Sequence, residues 1–457
     1  MKKYIYLSTV IVLIYVFQSF FNATGGIGAD SLSYFGIASD LPRLETNLFP
    51  LGFPVVIRFF YEIFGDYFWA SKMLNVSMVI ILLLFSYFKK YYFKETVLLF
   101  TGKTLFFALN YAVSEGLFVF MLYFLIYLFH ERFQNRMKPM FFVIFSSLLF
   151  IVLFSIRYSG IYIFLGFGVF WMVMFFKNRF SPINKDFLSV LLWSGSGIFA
   201  YLLFNLYNYG SFTGENLRGA PAQYYPVYIF RDILGVTNVV DPFIGIKPAS
   251  NSFASLTFQV ILMVFDLFLL RYFIILVKRK KTLIDLDFHL LLWIFSGVYT
   301  FAVFASGYFQ QIEEMNVRML AAANFVLFFS FLLIYFKNLK SDKPLFMTAS
   351  FFLVFLTFYS LKMPENYFKN RKQVEPQMSK FDHKKYIFNN EEAVNVSLTT
   401  YHFPLINKSF QYQHTTNQKG DIKRAIAGTI NPQIKWLKYD TIQDKRQVLY
   451  TSEIVLK

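Results

Sequence analysis

The sequence predicts an all-α polytopic membrane protein of about eleven transmembrane helices, residues 1–361, followed by a small extracytoplasmic domain, 362–457, that contains β structure. Two observations carry that prediction. Of the 457 residues, 56% are hydrophobic and 22% aromatic, far from the balance of a soluble domain. Apolar runs of roughly 17 to 25 residues, each long enough to cross about 30 Å of hydrocarbon as a helix, recur as far as residue 361.

The first run, 4–21, follows Lys2 and Lys3 as a secretory signal would, but no small-residue cleavage site comes after it, so a retained anchor is expected. The first outer loop, 22–66, opens with GGIGA. DSLSYFGIASDL then predicts a short helix with Tyr34 and Ala38 on the face of Asp30. In FPLGFPVVIRFFYEIFG, Pro50 and Pro54 act as breakers. Arg58 and Glu62 make one polar stripe at i, i+4, which suits a helix lying in the membrane interface. The spans continue at 67–88, 95–111, 114–130, 139–156, 158–176 and 187–208, with Lys103 inside the second of these. A large outer loop, 209–255, carries GSFTGENLRGAPAQYY, whose aromatics suit stacking on a bound ligand or covering a site; a plain surface loop is the other reading. Four more spans follow at 256–277, 288–307, 318–336 and 344–361. Beyond Lys362, alternating pieces such as VNVSLTTYHF and RQVLYTSEIVL between Asn, Gly and Pro breaks predict strands.

Charge sets the expected orientation. With the N-terminus cytoplasmic, the inside segments hold eighteen Lys and Arg against seven outside, and an odd number of spans puts the C-terminus on the extracytoplasmic side. The expected location is the inner membrane of a bacterial cell, multi-pass. The net charge of +17 is then explained by short cytoplasmic loops and the tail, facing solvent and lipid headgroups, with no nucleic acid needed. Absence of cysteine excludes disulfides and thiolate chemistry. TGKT at Thr101 to Thr104 fails as a phosphate-binding loop because Val97 stands where the leading glycine belongs. GSGIFA at Gly195 to Ala200 has no preceding strand, so close helix packing explains it better than a dinucleotide. The five histidines are dispersed, and no metal cluster is visible.

On this topology the polar residues near the membrane sort to one side. Asp30 follows the first span, Glu115 lies in the NYAVSEG turn, Arg157 opens the sixth span in SIRYSG, and QIEEMNVR carries Glu313, Glu314 and Arg318. An ionisable group at interface depth is costly unless paired or facing a wet cavity, so a set sharing one side and depth points to a common site.

The order of these motifs resembles the GT-C class of integral membrane glycosyltransferases, nearest to the protein mannosyltransferase and aminoarabinose transferase type. The residues that carry the resemblance are GADSLSYFGIASDL, FPLGFPVVIRF, SEGLF, RYSGIYIFLG and EEMNVRMLAAANFVLF, over roughly residues 4–336. The resemblance implies a sugar donor on a polyprenyl phosphate, an acceptor hydroxyl on a lipid, glycan or protein, and inverting transfer at the extracytoplasmic face. It implies Asp30 as general base and Arg157 and Arg318 at the donor phosphate, with Tyr34, Glu115, Glu313, Glu314 and Arg218 contacting substrate. The first loop lacks the adjacent Asp-Glu pair of that class, which leaves acceptor type and any metal requirement open, and no cofactor is otherwise indicated. Two other readings stay open: an O-antigen polymerase or ligase, and a polytopic lipid or sugar transporter of the flippase kind.

Overall fold

The computed structural model describes residues 1–22, 25–27, 29–42, 44, 46–179, 181–215, 226–244, 252–279, 285–309, 315–338 and 341–361, together with 385–388 and 411–414. In chain order the helices are α1 (Lys2–Phe21), α2 (Ala29–Asp40), α3 (Gly52–Phe64), α4 (Tyr67–Phe88), α5 (Phe93–Leu99), α6 (Lys103–Asn110), α7 (Ser114–Phe133) and α8 (Pro139–Ile156). They continue with α9 (Gly160–Lys177), α10 (Pro182–Tyr209), α11 (Pro226–Gly235), α12 (Thr237–Val240), α13 (Phe253–Arg279), α14 (Leu286–Ser306), α15 (Ala321–Asn338) and α16 (Lys343–Ser360). Among the described residues, 10 helices are long and apolar enough to cross a membrane. The protein is therefore a multi-pass α-helical membrane protein.

Local chemistry sets the boundaries. Pro139 and Pro182 stand in the first helical turns of α8 and α10, where a missing N–H costs nothing. The side chain of Asp66 caps α4 by accepting from the amide of Trp69. Gly65 and Gly210, in the left-handed region, end α3 and α10. Between the helices the core is aromatic; Phe129 alone meets the rings of Phe142, Phe150, Phe167, Phe187 and Phe295.

The expected span 95–111 is not one helix. It breaks at Phe100–Gly102 into α5 and α6, each too short to cross alone at about 1.5 Å per residue. Gly102 is at the break because a Cβ there would press on the carbonyl of Pro242 and the ring of Phe328. The broken pair reaches from the finish of α7 to the first half of α4. At one end Tyr92 OH bonds His130 Nε2 at the finish of α7, and at the other Asn75, early in α4, donates to the carbonyl of Tyr111.

Contacts of this kind define two ends. At one, Lys3 pairs with Asp342 at 2.6 Å, Arg132 with Asp186 at 2.7 Å and Lys177 with Asp287 at 2.6 Å. At the other, the finish of α16 meets the finish of α1, where Ser360 Oγ donates to Gln18 Oε1 at 2.9 Å. Residue 361 thus sits at the end opposite to residue 1, on the same end as α2. The helix predicted in Phe49 to Gly65 is present as α3, packed on α2, α4 and α8. Its Phe53 and Ile57 are buried, while Val55, Phe59 and Ile63 form an exposed apolar stripe suited to lipid.

Of GSFTGENLRGAPAQYY in the large outer loop, only residues 210–215 are among the described residues. Further along that loop, Leu234, Thr237, Asn238, Val239 and Asp241 are buried against α13, α15 and the α5–α6 break, while Phe230 and Ile233 of α11 are exposed. Of residues 362–457, the described part is β1 (Lys385–Phe388) and β2 (Gln411–His414), paired in parallel with Lys385 opposite Gln411. The rest of that expected domain lies outside the described residues.

Candidate functional site

The site is built on a glycine turn. Gly25 and Gly26 have φ of 63° and 66°, left-handed values that a side chain disfavours. A Cβ on Gly26 would overlap the carbonyl oxygen of Asn110 and lie 2.7 Å from Lys72 Nζ. The Gly26 carbonyl accepts from the amide of Ala112 at 2.8 Å, and the buried ammonium of Lys72 donates to Asn110 O at 2.7 Å, satisfying the finish of α6. The GGIGA approach therefore clamps the start of α2 against the turn that leads into α7.

That clamp aims α2. Asp30 lies in its first turn, and Tyr34 and Ala38 are buried on the same face, as the i+4 and i+8 spacing predicts. The Tyr34 ring packs on Phe49 and Phe53, with centroids 4.8 and 4.9 Å away. Its hydroxyl meets Ser114 Oγ at 2.7 Å. Burial pushes the Tyr34 phenol well above its ordinary range, with the Arg157 charge acting against it, so it remains a hydroxyl at neutral pH.

Four charged groups from four segments meet here. Arg318 Nη2 lies 2.7 Å from Asp30 Oδ2, and its Nε lies 3.1 Å from Glu115 Oε1. Arg157 Nη1 reaches Glu115 Oε2 at 2.7 Å and Ser114 Oγ at 3.0 Å. Glu115, in the first turn of α7, is the hub: its side chain is 3% exposed, against 20% for Asp30, 21% for Arg157 and 34% for Arg318. The positive end of α7 adds to its stabilisation. Two carboxylates and two guanidiniums make the set neutral overall, which permits burial.

Of the residues expected in the site, Asp30, Tyr34, Glu115, Arg157 and Arg318 come together. Glu313, Glu314 and Arg218 lie outside the described residues. Arg157 does not open a helix as expected but caps the finish of α8, in the short turn before α9. Sequence reasoning passed over Ser114, Ser159 and Tyr299. Ser159 Oγ accepts from Tyr299 OH at 3.0 Å and from Arg157 Nε at 3.4 Å. Ser114 and Ser159 were visible as immediate neighbours of the charged residues in SEG and RYSG. Tyr299, an aromatic inside an apolar helix, carries no such signal. Among the described residues, no group of three or more His, Asp or Glu is placed to hold a metal ion. Compared with known proteins, the chain matches no family model and no curated protein.

Proposed function

We propose that the protein is a glycosyltransferase that moves a sugar from a polyprenyl-phosphate donor to an acceptor hydroxyl, with inversion, at the extracytoplasmic face of a bacterial inner membrane. The observation that carries the reading is the Asp30–Arg318–Glu115–Arg157 network, two carboxylates alternating with two guanidiniums at one end of a membrane bundle. The acceptor oxygen attacks the anomeric carbon, its proton passes to Asp30, and the bond from that carbon to the phosphate oxygen breaks with its electron pair on the phosphate. Protonation of Asp30 removes one partner from Arg318, so the set becomes net positive as the phosphate departs. Arg suits that role because its planar fork binds phosphate oxygens in pairs and keeps its charge when desolvated.

The test is mass spectrometry of polyprenyl-linked sugars and envelope glycans from cells with the wild-type gene, no gene, or single variants. Asp30→Asn is expected to lower turnover about 10²- to 10⁴-fold, the usual range for removing a general base, and to accumulate lipid-linked sugar like the deletion. Arg157→Ala and Arg318→Ala are expected to cost about 10²-fold or more, with Lys restoring only part. Asp40→Asn, ten residues along α2, is the neutral control. Wild-type products from Asp30→Asn would end the proposal.

One observation favours a transporter as the second reading. Lys103 stands at a helix break well inside the bundle, within electrostatic reach of Asp241 and of Asp266 in the middle of α13, and broken helices with mid-depth charge are common in transporters. A transporter would move the lipid-linked sugar across the membrane without cleaving it, which the same mass spectra distinguish.

A further inference from the structure

Arg318 sits on a turn, 315–320, between the described ends of α14 and α15, and that turn is clasped by the inserted part of the large outer loop. On the loop's leading side, Asp232 Oδ1 accepts from the amide of Met315 at 3.0 Å. Gly235 allows the close approach, since a Cβ there would lie 2.6 Å from the carbonyl oxygen of Met315. Within the turn, Asn316 Oδ1 accepts from the amides of Arg318 and Met319 at 2.9 and 3.1 Å. The Asn316 bonds hold the turn's shape, and the Asp232 bond ties it to the inserted segment, whose own place is set elsewhere.

Its place is set one step further on. Asn324, 1% exposed in the first turn of α15, donates from Nδ2 to the carbonyls of Val239 and Asp241, both at 3.0 Å. Its Oδ1 accepts from the hydroxyl of Thr104 in α6. Both amide hydrogens and the carbonyl oxygen are used, so one side chain ties α15 and α6 to the loop. Lys103 completes the seat: its amide donates to Pro242 O at 2.9 Å, and its ammonium donates to Ile244 O at 2.6 Å and Asn238 Oδ1 at 3.3 Å. The break between α5 and α6 is the gap into which Asp241–Ile244 fits.

We propose that Asn324 is a positioning residue for Arg318, fixing the 315–320 turn through the inserted segment 232–244 so that the guanidinium stands over Asp30 and Glu115 together. This rests on the reading of Arg318 as a phosphate ligand. Asn324 touches none of the charged groups of the site; it acts by keeping Arg318 from wandering. Leucine at 324 has similar volume but strands two buried carbonyls and a hydroxyl, which frees the segment.

The experiment uses the full chain in lipid nanodiscs, with amide hydrogen exchange by mass spectrometry and, separately, binding of undecaprenyl phosphate. In Asn324→Leu, the amides of 237–244 and 315–320 are expected to exchange roughly tenfold faster while those of α7 are unchanged, and lipid phosphate affinity to fall roughly tenfold. Arg318→Ala is expected to abolish most of the affinity without altering exchange at 237–244. The double variant Asn324→Leu/Arg318→Ala is expected to bind no more weakly than Arg318→Ala, because Asn324 has nothing left to position. Unchanged exchange at 315–320, or losses that multiply in the double variant, overturn the proposal. Wild-type affinity in Arg318→Ala instead sinks the phosphate reading, and the exchange result still decides the positioning. Should Asn324→Leu fail to fold, Asp232→Ala cuts the clasp at its other end, and exchange at 315–320 that stays slow in that variant overturns it as well.

Discussion

Glu115→Gln tests the hub of the site, and its cost follows from the geometry. Glutamine keeps the shape of the side chain and removes one charge from between two guanidiniums at 2.7 and 3.1 Å. Breaking a buried pair by deleting one partner costs about 3–5 kcal/mol, and the lower value suits Arg157, which keeps some solvent contact. The Arg318 leg is a third exposed and screened, so about 0.5 kcal/mol is assigned to it. Loss of a carboxylate at the start of α7 adds about 0.5 kcal/mol through the helix dipole. The sum is about 4 kcal/mol. At about 1–2 °C per kcal/mol for a bundle of this size, extrapolating from smaller domains, the unfolding midpoint should fall by about 4–8 °C. Tryptophan fluorescence during heating of the detergent-solubilised protein reads it directly. The double variant Glu115→Leu/Arg157→Leu should recover most of the loss, since a buried ion pair exchanged for apolar groups is close to neutral. A Glu115→Gln midpoint within a degree of wild type would refute the hub.

Two further outcomes follow from the same structure. Gly26→Ala should destabilise by about 3 kcal/mol or more, because left-handed strain adds to overlap with the Asn110 carbonyl, whereas Gly65→Ala, equally left-handed but with open space around it, should lose only about 1 kcal/mol; equal midpoints for the two would remove the clamp under α2. In a chain without cysteine, a membrane-impermeant maleimide applied to intact cells should label Asn208→Cys and Leu361→Cys but not Lys185→Cys, and labelling of Lys185→Cys alone would reverse the proposed orientation.

Much of the site was legible because its residues break a strong local pattern. Asp30, Glu115, Arg157 and Arg318 are charges beside long apolar runs, and hydrocarbon tolerates charge so poorly that each demanded an explanation. The i+4 spacing likewise placed Tyr34 on the face of Asp30, since helix periodicity is local. What could not be read was the pairing: that Arg318 bridges Asp30 and Glu115, or that Tyr299 reaches Ser159, depends on residues far apart in the chain being brought side by side.

The broken span shows the division most clearly. Composition by itself determined a membrane bundle, its long helices, and a first loop built on glycines, because hydrophobic length and backbone freedom are properties of short stretches. It read 95–111 as one helix for the same reason, since the run is apolar throughout apart from Lys103. Only the tertiary structure decided that this run divides at Gly102 and that part of a loop about 140 residues further along fills the gap, satisfying Lys103 with carbonyls at Pro242 and Ile244. A buried ammonium must find partners, but nothing in its own neighbourhood names them; packing chose them from across the chain.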